Sequence, residues 1–261
     1  MGAHQVGMLR ALLERDIAPD LVLGTSIGAL NGAAIAASPS LDMVERLERL
    51  WRRIATSGVL SGSLASRAVR LARSGTHLHG NRELRTMLER TLPTRIEDLP
   101  VRFECVAASI EHAAEHWFTR GPLADAVLAS AALPGVMPIV AIGDEHFMDG
   151  GLVNSIPIGR AVTQGVKRVY VLHVGRIEQP LAVPRTPWGV ALTAFEIARR
   201  HRFAHDLTVV PPDVEVHVLP TGTPAGELYR FRDQLRYRDF TAAGERIDRA
   251  HRATGAYLDG R

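Results

Sequence analysis

The chain contains 261 residues, 46% of them hydrophobic, which is enough to bury a large core in a single α/β domain. Its formal net charge is +3, and the basic residues are spread over several predicted helices, so the composition gives no support for nucleic-acid binding. No stretch approaches the roughly 20 apolar residues of a membrane span, and the first residues do not have the pattern of a signal peptide.

The predicted elements begin with a helix and a short strand. Apolar residues recur with helical spacing over residues 3–15, and Pro19 then interrupts the pattern. A short apolar run at residues 21–23 predicts a buried strand. The small residues at 29–37 predict a tightly packed helix directly after it.

Helices and strands alternate along the remaining chain, which predicts a mostly parallel central sheet covered by helices on both faces. Residues 57–80 are rich in Ser, Gly, Arg and His and are expected to form a mobile, lid-like region. Helices are predicted at 40–54, 82–91 (capped by Asn81), 122–133, 157–165, 188–205 and 237–256, and strands at 101–110, 117–119, 145–148, 168–174 and 214–219.

The only cysteine, Cys105, lies in the apolar run at residues 101–108, and we interpret it as a small buried thiol rather than a nucleophile. A single cysteine excludes an intrachain disulfide and fits a reducing compartment. We therefore expect a cytoplasmic protein. The mildly basic charge is compatible with transient, peripheral contact with anionic membrane surfaces, and the alternative interpretation of the basic helices is an ordinary solvated surface.

The first candidate site follows the first predicted strand directly. Gly24-Thr25-Ser26-Ile27-Gly28 stands between a strand and a helix, which is the context that a nucleophile elbow requires. Gly24 and Gly28 leave room for a sharp turn, and Ser26 is expected in a strained conformation at a helix N-terminus that favours negative charge. The alternative interpretation is an ordinary turn in which Ser26 caps the helix.

The second candidate site is Asp149-Gly150-Gly151, at the end of the strand predicted over residues 145–148. Paired glycines permit a tight turn and bring backbone N–H groups near the carboxylate. A serine nucleophile needs a proton acceptor within about 3 Å, and Asp149 is suited to this task without a histidine. The alternative interpretation is an Asp-Gly turn, which is common in loops.

Together, the two motifs resemble those of the patatin-like phospholipases, which are serine lipid acyl hydrolases that use a Ser–Asp dyad. Residues 2–12 resemble the first helix of that family, and residues 129–138 resemble the segment before its aspartate strand. The run at 149–157 is most similar to the bacterial branch related to neuropathy target esterase, with Ser155 where proline is usual. The resemblance covers residues 2–175.

The resemblance implies an α/β, three-layer patatin-like fold in a single domain over residues 1–261, whose C-terminal part completes the sheet and adds a final helix. It implies that Ser26 attacks an ester carbonyl of a lipid substrate and that Asp149 takes its proton and later activates water. It implies no catalytic histidine, no metal and no cofactor. The other residues assigned to the oxyanion site, the elbow and the aspartate turn are Gly2, Gly24, Ile27, Gly28, Gly150 and Gly151.

The histidines of the chain agree with a site that lacks a metal. His173 lies in a predicted strand, and we interpret it as a core or rim residue rather than a catalyst. The other histidines considered show no spacing typical of metal ligands: His4, His77, His79, His112, His116 and His146.

The N-terminal region departs from the pattern of the family. The family opens with a strand and a Gly-rich loop whose N–H groups form the oxyanion hole, and at most its last glycine, Gly2, is present here. Losing one such donor typically costs roughly 100- to 1000-fold in rate. We interpret the difference as a start assigned too far downstream. The alternative is a catalytically weak or inactive member that binds lipid.

Two other classes of enzyme remain open. A conventional Ser-His-Asp hydrolase is disfavoured because the elbow comes too early in the chain for that sheet. An acyl-carrier transacylase also uses a serine elbow, but it needs a histidine and an arginine in known sequence contexts. Loss of activity in His173→Ala or His217→Ala would favour the first class. Transfer to a carrier thiol that outpaces hydrolysis would favour the second.

Overall fold

A computed structural model of the chain describes residues 2–57, 77, 79–173, 180–223 and 243–260. The chain divides into two compact units. The expectation of a single domain over residues 1–261 stays a prediction. The central unit comprises Ala18–Met43 and Gly58–Ser155, and the terminal unit comprises Met1–Ile17, Val44–Ser57 and Ile156–Arg261.

The described residues form eight helices and seven strands in mixed order, which confirms the α/β class. Within these ranges, no helix combines the length and the apolar character needed to cross a membrane. The helices are α1 (Gly2–Leu13), α2 (Ile27–Ala37), α3 (Leu41–Ser57), α4 (Arg82–Thr91), α5 (Leu123–Ser130), α6 (Ile158–Thr163), α7 (Pro187–Thr208) and α8 (Ala243–Asp259). The strands are β1 (Leu21–Thr25), β2 (Arg102–Ser109), β3 (Ala114–Phe118), β4 (Val140–Ile142), β5 (Glu145–Asp149), β6 (Arg168–Val171) and β7 (Glu215–Val218).

The sheet of the central unit is organised around β2. β1 pairs in parallel with residues 102–106 of β2, and β5 pairs in antiparallel orientation with residues 107–109. β3 pairs with residues 105–109, so it occupies one edge of β2 while β1 and β5 share the other edge. The carboxyl ends of β1 and β5 therefore point toward each other and meet beside Val106 and Ala107.

The strand directions in this unit correct the expectation of a mostly parallel sheet. Only the β1–β2 pair is parallel in its described part, whereas β2–β3, β2–β5 and β4–β5 are antiparallel. The reason is the length of the connections. Residues 110–113 join β2 to β3 and residues 143–144 join β4 to β5, and such short links allow only antiparallel pairing of the strands they join.

Helix α2 packs closely on β1 and β2 because its packing face carries small residues. A Cβ atom at Gly32 would lie 2.9 Å from Cγ1 of Val22 and 3.3 Å from Cε2 of Phe103, and Phe103 is itself buried. This close approach fixes the helix that begins directly after Ser26 against the strand that ends directly before it.

In the terminal unit, β6 and β7 form a parallel pair and α1 packs along α8. A Cβ atom at Gly7 would lie 2.1 Å from the carbonyl oxygen of Ile247, so glycine allows these two helix backbones to approach closely. Burial of apolar side chains then stabilises the unit. One buried cluster consists of Met8, Leu12, Leu219 and Ala250.

Most predicted elements are present, with differences at their ends. The helix predicted over residues 122–133 already ends at Ser130, and the short strand β4 was not predicted. Asn81 occupies the N-cap of α4, but its side chain makes no capping hydrogen bond. The expected lid region at residues 57–80 and the start of the last predicted helix, residues 237–242, lie largely outside the described residues.

We predict that one buried histidine of the terminal unit makes stability depend on pH. Burial lowers the pKa of His173 from 6.5 to about 3, and the positive charges of Arg199 and Arg200 act in the same direction. Because the folded-state pKa is lowered, the unfolded chain takes up this proton first as the pH falls. The free energy of unfolding should therefore decrease by up to about 1.4 kcal/mol per pH unit between about pH 6 and about pH 3.

Urea unfolding of the intact chain and of the His173→Gln variant across this pH range measures the effect. Other groups that titrate contribute equally to both proteins, so the difference between the two slopes isolates the histidine. Equal slopes in the two proteins would contradict the prediction.

Candidate active site

Ser26 lies on the turn that joins β1 to α2. β1 ends at Thr25, Ser26 has φ 56° and ψ −123°, and α2 begins at Ile27. A residue other than glycine in such a conformation is strained, at a cost on the order of 1–3 kcal/mol. The strand–turn–helix backbone predicted around Ser26 is therefore present, and the surrounding structure has to hold it.

Glycine at position 24 makes this turn possible. A Cβ atom there would lie 2.5 Å from Cα of Ala29 and 3.1 Å from the carbonyl oxygen of Gly28. The N–H of Ala29 also donates to the carbonyl oxygen of Ser26 at 2.9 Å, which closes the first turn of α2. The helix thus folds back over the end of β1 at a distance that only glycine allows.

Asp149 is the last residue of β5 and precedes a short 3₁₀ turn, Gly150–Leu152. Its side chain is buried, at 2% exposure, and its Oδ1 accepts a hydrogen bond from the N–H of Gly151 at 2.8 Å. A Cβ atom at Gly150 would lie 2.1 Å from the carbonyl oxygen of Val106. The first glycine therefore lets the turn approach β2, and the second donates to the carboxylate.

The serine and the aspartate contact each other directly. Ser26 Oγ donates to Asp149 Oδ2 at 2.5 Å, so the hydroxyl and the carboxylate are in direct hydrogen-bond contact. Ser26 occupies the N-cap position of α2, but its side chain makes no capping hydrogen bond to that helix. The interpretation of Ser26 as a simple helix cap is therefore not supported.

The end of α5 binds the backbones of both residues. Ser130 Oγ accepts a hydrogen bond from the N–H of Ser26 at 2.9 Å, and the carbonyl oxygen of Ala132 accepts one from the N–H of Asp149 at 3.0 Å. Sequence reasoning assigned no role to either residue. The only signal was that both lie within residues 129–138, the segment that resembles the family.

A second connection joins the two motifs on the other side of the turn. Thr25 Oγ1 donates to the carbonyl oxygen of Asn154 at 3.0 Å, and the N–H of Asn154 donates to the carbonyl oxygen of Gly150 at 2.8 Å. The side chain of Asn154 is buried and its Nδ2 donates to Glu115 Oε2 at 3.2 Å. Thr25, which precedes the serine, and Asn154, which follows the aspartate turn, therefore connect the two motifs.

The remaining predicted site residues lie in both units. Ile27 and Gly28 open α2 directly after Ser26, in the central unit. Gly2 belongs to the terminal unit, where it begins α1, and a Cβ atom there would lie 2.2 Å from Cζ2 of Trp51. Its assignment to an oxyanion site stays a prediction.

Cys105 is fully buried in β2, and burial raises the pKa of its thiol, which confirms its interpretation as a structural cysteine. His173 is buried in the terminal unit, as expected for a core residue. Over the part of the chain that the structure describes, no group of three or more His, Cys, Asp or Glu side chains is arranged to hold a metal ion.

The α/β fold and the serine–carboxylate pair define a candidate site of the serine-nucleophile type. The patatin-like phospholipase family matches residues 2–162 of the chain. The chain therefore belongs to the patatin-like phospholipase family.

Relatives of the chain are much longer proteins. Patatin-like phospholipase domain-containing protein 7 of Rattus norvegicus is 32% identical over 74% of this chain and 14% of its own length. Neuropathy target esterase sws of Drosophila melanogaster is 30% identical over 67% of this chain and 12% of its own length. Lysophospholipase NTE1 of Mycosarcoma maydis is 28% identical over 68% of this chain and 9% of its own length. The chain thus matches 14% or less of each of these proteins.

We predict that Gly150→Ala destabilises the central unit, because the new Cβ atom would meet the carbonyl oxygen of Val106. Overpacking of this kind typically costs about 1–3 kcal/mol. Gly159→Ala in α6 is the matched control, because its nearest neighbour would be Asp206 Oδ2 at 3.9 Å. The free energy of unfolding of Gly159→Ala should equal that of the original chain or exceed it by up to about 1 kcal/mol.

Thermal unfolding of the intact chain and of both variants measures the difference. Equal unfolding temperatures for Gly150→Ala and Gly159→Ala would show that the aspartate turn does not lie as close to β2 as described.

Proposed function

We propose that this chain hydrolyses carboxylic esters of phospholipids or lysophospholipids, with Ser26 as the nucleophile and Asp149 as its base. The observation that carries the proposal is the direct hydrogen bond from Ser26 Oγ to Asp149 Oδ2 at 2.5 Å. A serine becomes an effective nucleophile when a base within hydrogen-bond reach takes its proton. Asp149 is buried and is oriented from its other oxygen by Gly151, which is the arrangement such a base requires.

The first half of the reaction forms an acyl-enzyme. Ser26 Oγ attacks the carbonyl carbon of the ester while its proton moves to Asp149 Oδ2, and a tetrahedral intermediate results. When this intermediate collapses, the bond to the alcohol oxygen breaks. Asp149 returns the proton to that oxygen, so the alcohol leaves neutral and the acyl group stays on Ser26.

The second half releases the fatty acid. Asp149 takes a proton from a water molecule, whose oxygen attacks the acyl carbonyl carbon. The bond to Ser26 Oγ then breaks, and the proton held by Asp149 returns to the serine. The same carboxylate therefore acts first as base and then as acid in both halves of the reaction.

The negative charge on the carbonyl oxygen needs N–H donors in both intermediates. Ile27 and Gly28 open α2, and the first N–H groups of a helix have no acceptor within the helix. We assign these two N–H groups to the oxyanion site, where the helix dipole also favours negative charge. The assignment of these N–H groups is part of the proposed mechanism and depends on Ser26 being the nucleophile.

The substrate class is supported by the names of the relatives. A lysophospholipase and a neuropathy target esterase are among the proteins that this chain resembles. Because such substrates reside in membranes and micelles, the proposal includes transient contact with a lipid surface, which a net charge of +3 favours when the lipid is anionic.

We predict that Ser26→Ala removes ester hydrolysis and that Asp149→Asn lowers kcat by at least about 100-fold, because the amide cannot take the serine proton. The assay uses lysophosphatidylcholine micelles and a short-chain nitrophenyl ester. Ser109→Ala is the matched control, because Ser109 is also buried in the central unit and donates to Glu145 rather than to the site. It should retain the activity of the original chain.

Each other outcome favours a different hypothesis. Turnover that survives Ser26→Ala would contradict the proposal. Binding of lysophospholipid without turnover, equal in the original chain and in Ser26→Ala, would favour a lipid-binding member of the family. Turnover that depends on Ser26 but is unchanged in Asp149→Asn would show that another group is the base.

A further inference from the structure

One polar group of the nucleophile turn, the backbone N–H of Ser26, needs a hydrogen-bond acceptor. Ser26 follows Thr25, the last residue of β1 that pairs with β2, and its N–H donates to the side chain of Ser130 rather than to a strand. Its positive φ makes the conformation costly to maintain. Leaving such an N–H group without an acceptor would cost a further amount of about 1–3 kcal/mol.

Ser130 supplies that acceptor from the last position of α5. Its Oγ lies 2.9 Å from the nitrogen of Ser26, and the residue has no exposed surface. Its neighbours along the chain are all alanines: Ala129, Ala131 and Ala132. The hydroxyl of Ser130 is therefore the polar side-chain group that this short segment brings to the turn.

The same segment also binds the aspartate. The carbonyl oxygen of Ala132 accepts the N–H of Asp149, so residues 130–132 hold the backbones of both residues that contact each other through Ser26 Oγ and Asp149 Oδ2. The bond to Asp149 comes from the main chain of Ala132 and does not involve the hydroxyl of Ser130. Removing that hydroxyl therefore takes away the acceptor of the Ser26 N–H and leaves the acceptor of the Asp149 N–H in the chain.

We propose that Ser130 is a positioning residue, which holds the backbone of Ser26 so that its Oγ lies at the productive distance from Asp149. The inference rests on the proposed function and deepens it. Ser130 Oγ binds the N–H of the nucleophile and not its Oγ, so it acts through the backbone of Ser26. A displacement of about 1 Å in a reacting group can cost about 100-fold in rate, which sets the size of the expected effect.

The test is a series at nearly constant volume, Ser130→Cys and Ser130→Ala, assayed on the short-chain nitrophenyl ester with the intact chain. A thiol is a weaker acceptor than a hydroxyl, and a methyl group accepts nothing. We expect kcat to fall in the order Ser, Cys, Ala, reaching a loss of about 10- to 100-fold in Ser130→Ala, with KM unchanged. Ser109→Ala also removes a buried hydroxyl and should keep the kcat of the original chain. It therefore measures the effect on kcat of losing a buried hydroxyl elsewhere in the central unit.

The possible failures are distinguishable. If Ser130→Ala unfolds at a lower temperature but keeps the kcat of the original chain, Ser130 only stabilises the fold and the inference is wrong. If kcat and KM change together, the hydroxyl affects substrate binding, which also contradicts it. If the original chain shows no turnover that Ser26→Ala removes, the proposed function fails and the inference fails with it. If Ser130→Ala does not fold, Ser130→Cys provides the test, and a kcat equal to that of the original chain would contradict the inference.

Discussion

The constraint on which the central unit depends is that β1 and β5 share one edge of β2 and run toward each other. β1 runs parallel to β2 and β5 runs antiparallel, so both strands end at the same point. Thr25 pairs with Val106, and Asp149 pairs with Ala107, the next residue along β2. The first residue beyond β1 is Ser26, so a serine and an aspartate from distant parts of the chain meet without any long excursion of the backbone.

The positive φ of Ser26 costs conformational free energy, and the surrounding structure compensates for this strain with close packing and hydrogen bonds to the backbone. The strained serine is followed by a helix that approaches β1 across Gly24, and the aspartate turn approaches β2 across Gly150. Side-chain hydroxyls then fix the turn from two directions, through Ser130 and Thr25. Glycine supplies space at both motifs and hydroxyl groups supply orientation, so the geometry of the Ser26–Asp149 pair depends on residues outside the pair.

The sequence was sufficient to predict features that depend on neighbouring residues, such as the two glycine-containing turns. It was insufficient for features that depend on contacts between distant residues. Ser26 and Asp149 could be named as candidates because the glycines that each turn needs stand beside them in the chain. Ser130 could not, because its role comes from a contact with a residue 104 positions away. The mostly parallel sheet was a wrong prediction because apolar patterns do not specify strand direction, whereas short connections such as residues 110–113 do. The strand Val140–Ile142 was missed because three residues carry too little pattern.

The most direct test of the account is to map where a fluorophosphonate probe attaches to the intact chain and how fast it does so. The account predicts a single adduct, on Ser26, because this is the hydroxyl whose proton the buried carboxylate of Asp149 can take. It further predicts that Asp149→Asn slows the labelling by at least about 100-fold without moving it to another residue. An adduct on a different residue, or labelling of Ser26 at an unchanged rate in Asp149→Asn, would contradict the account.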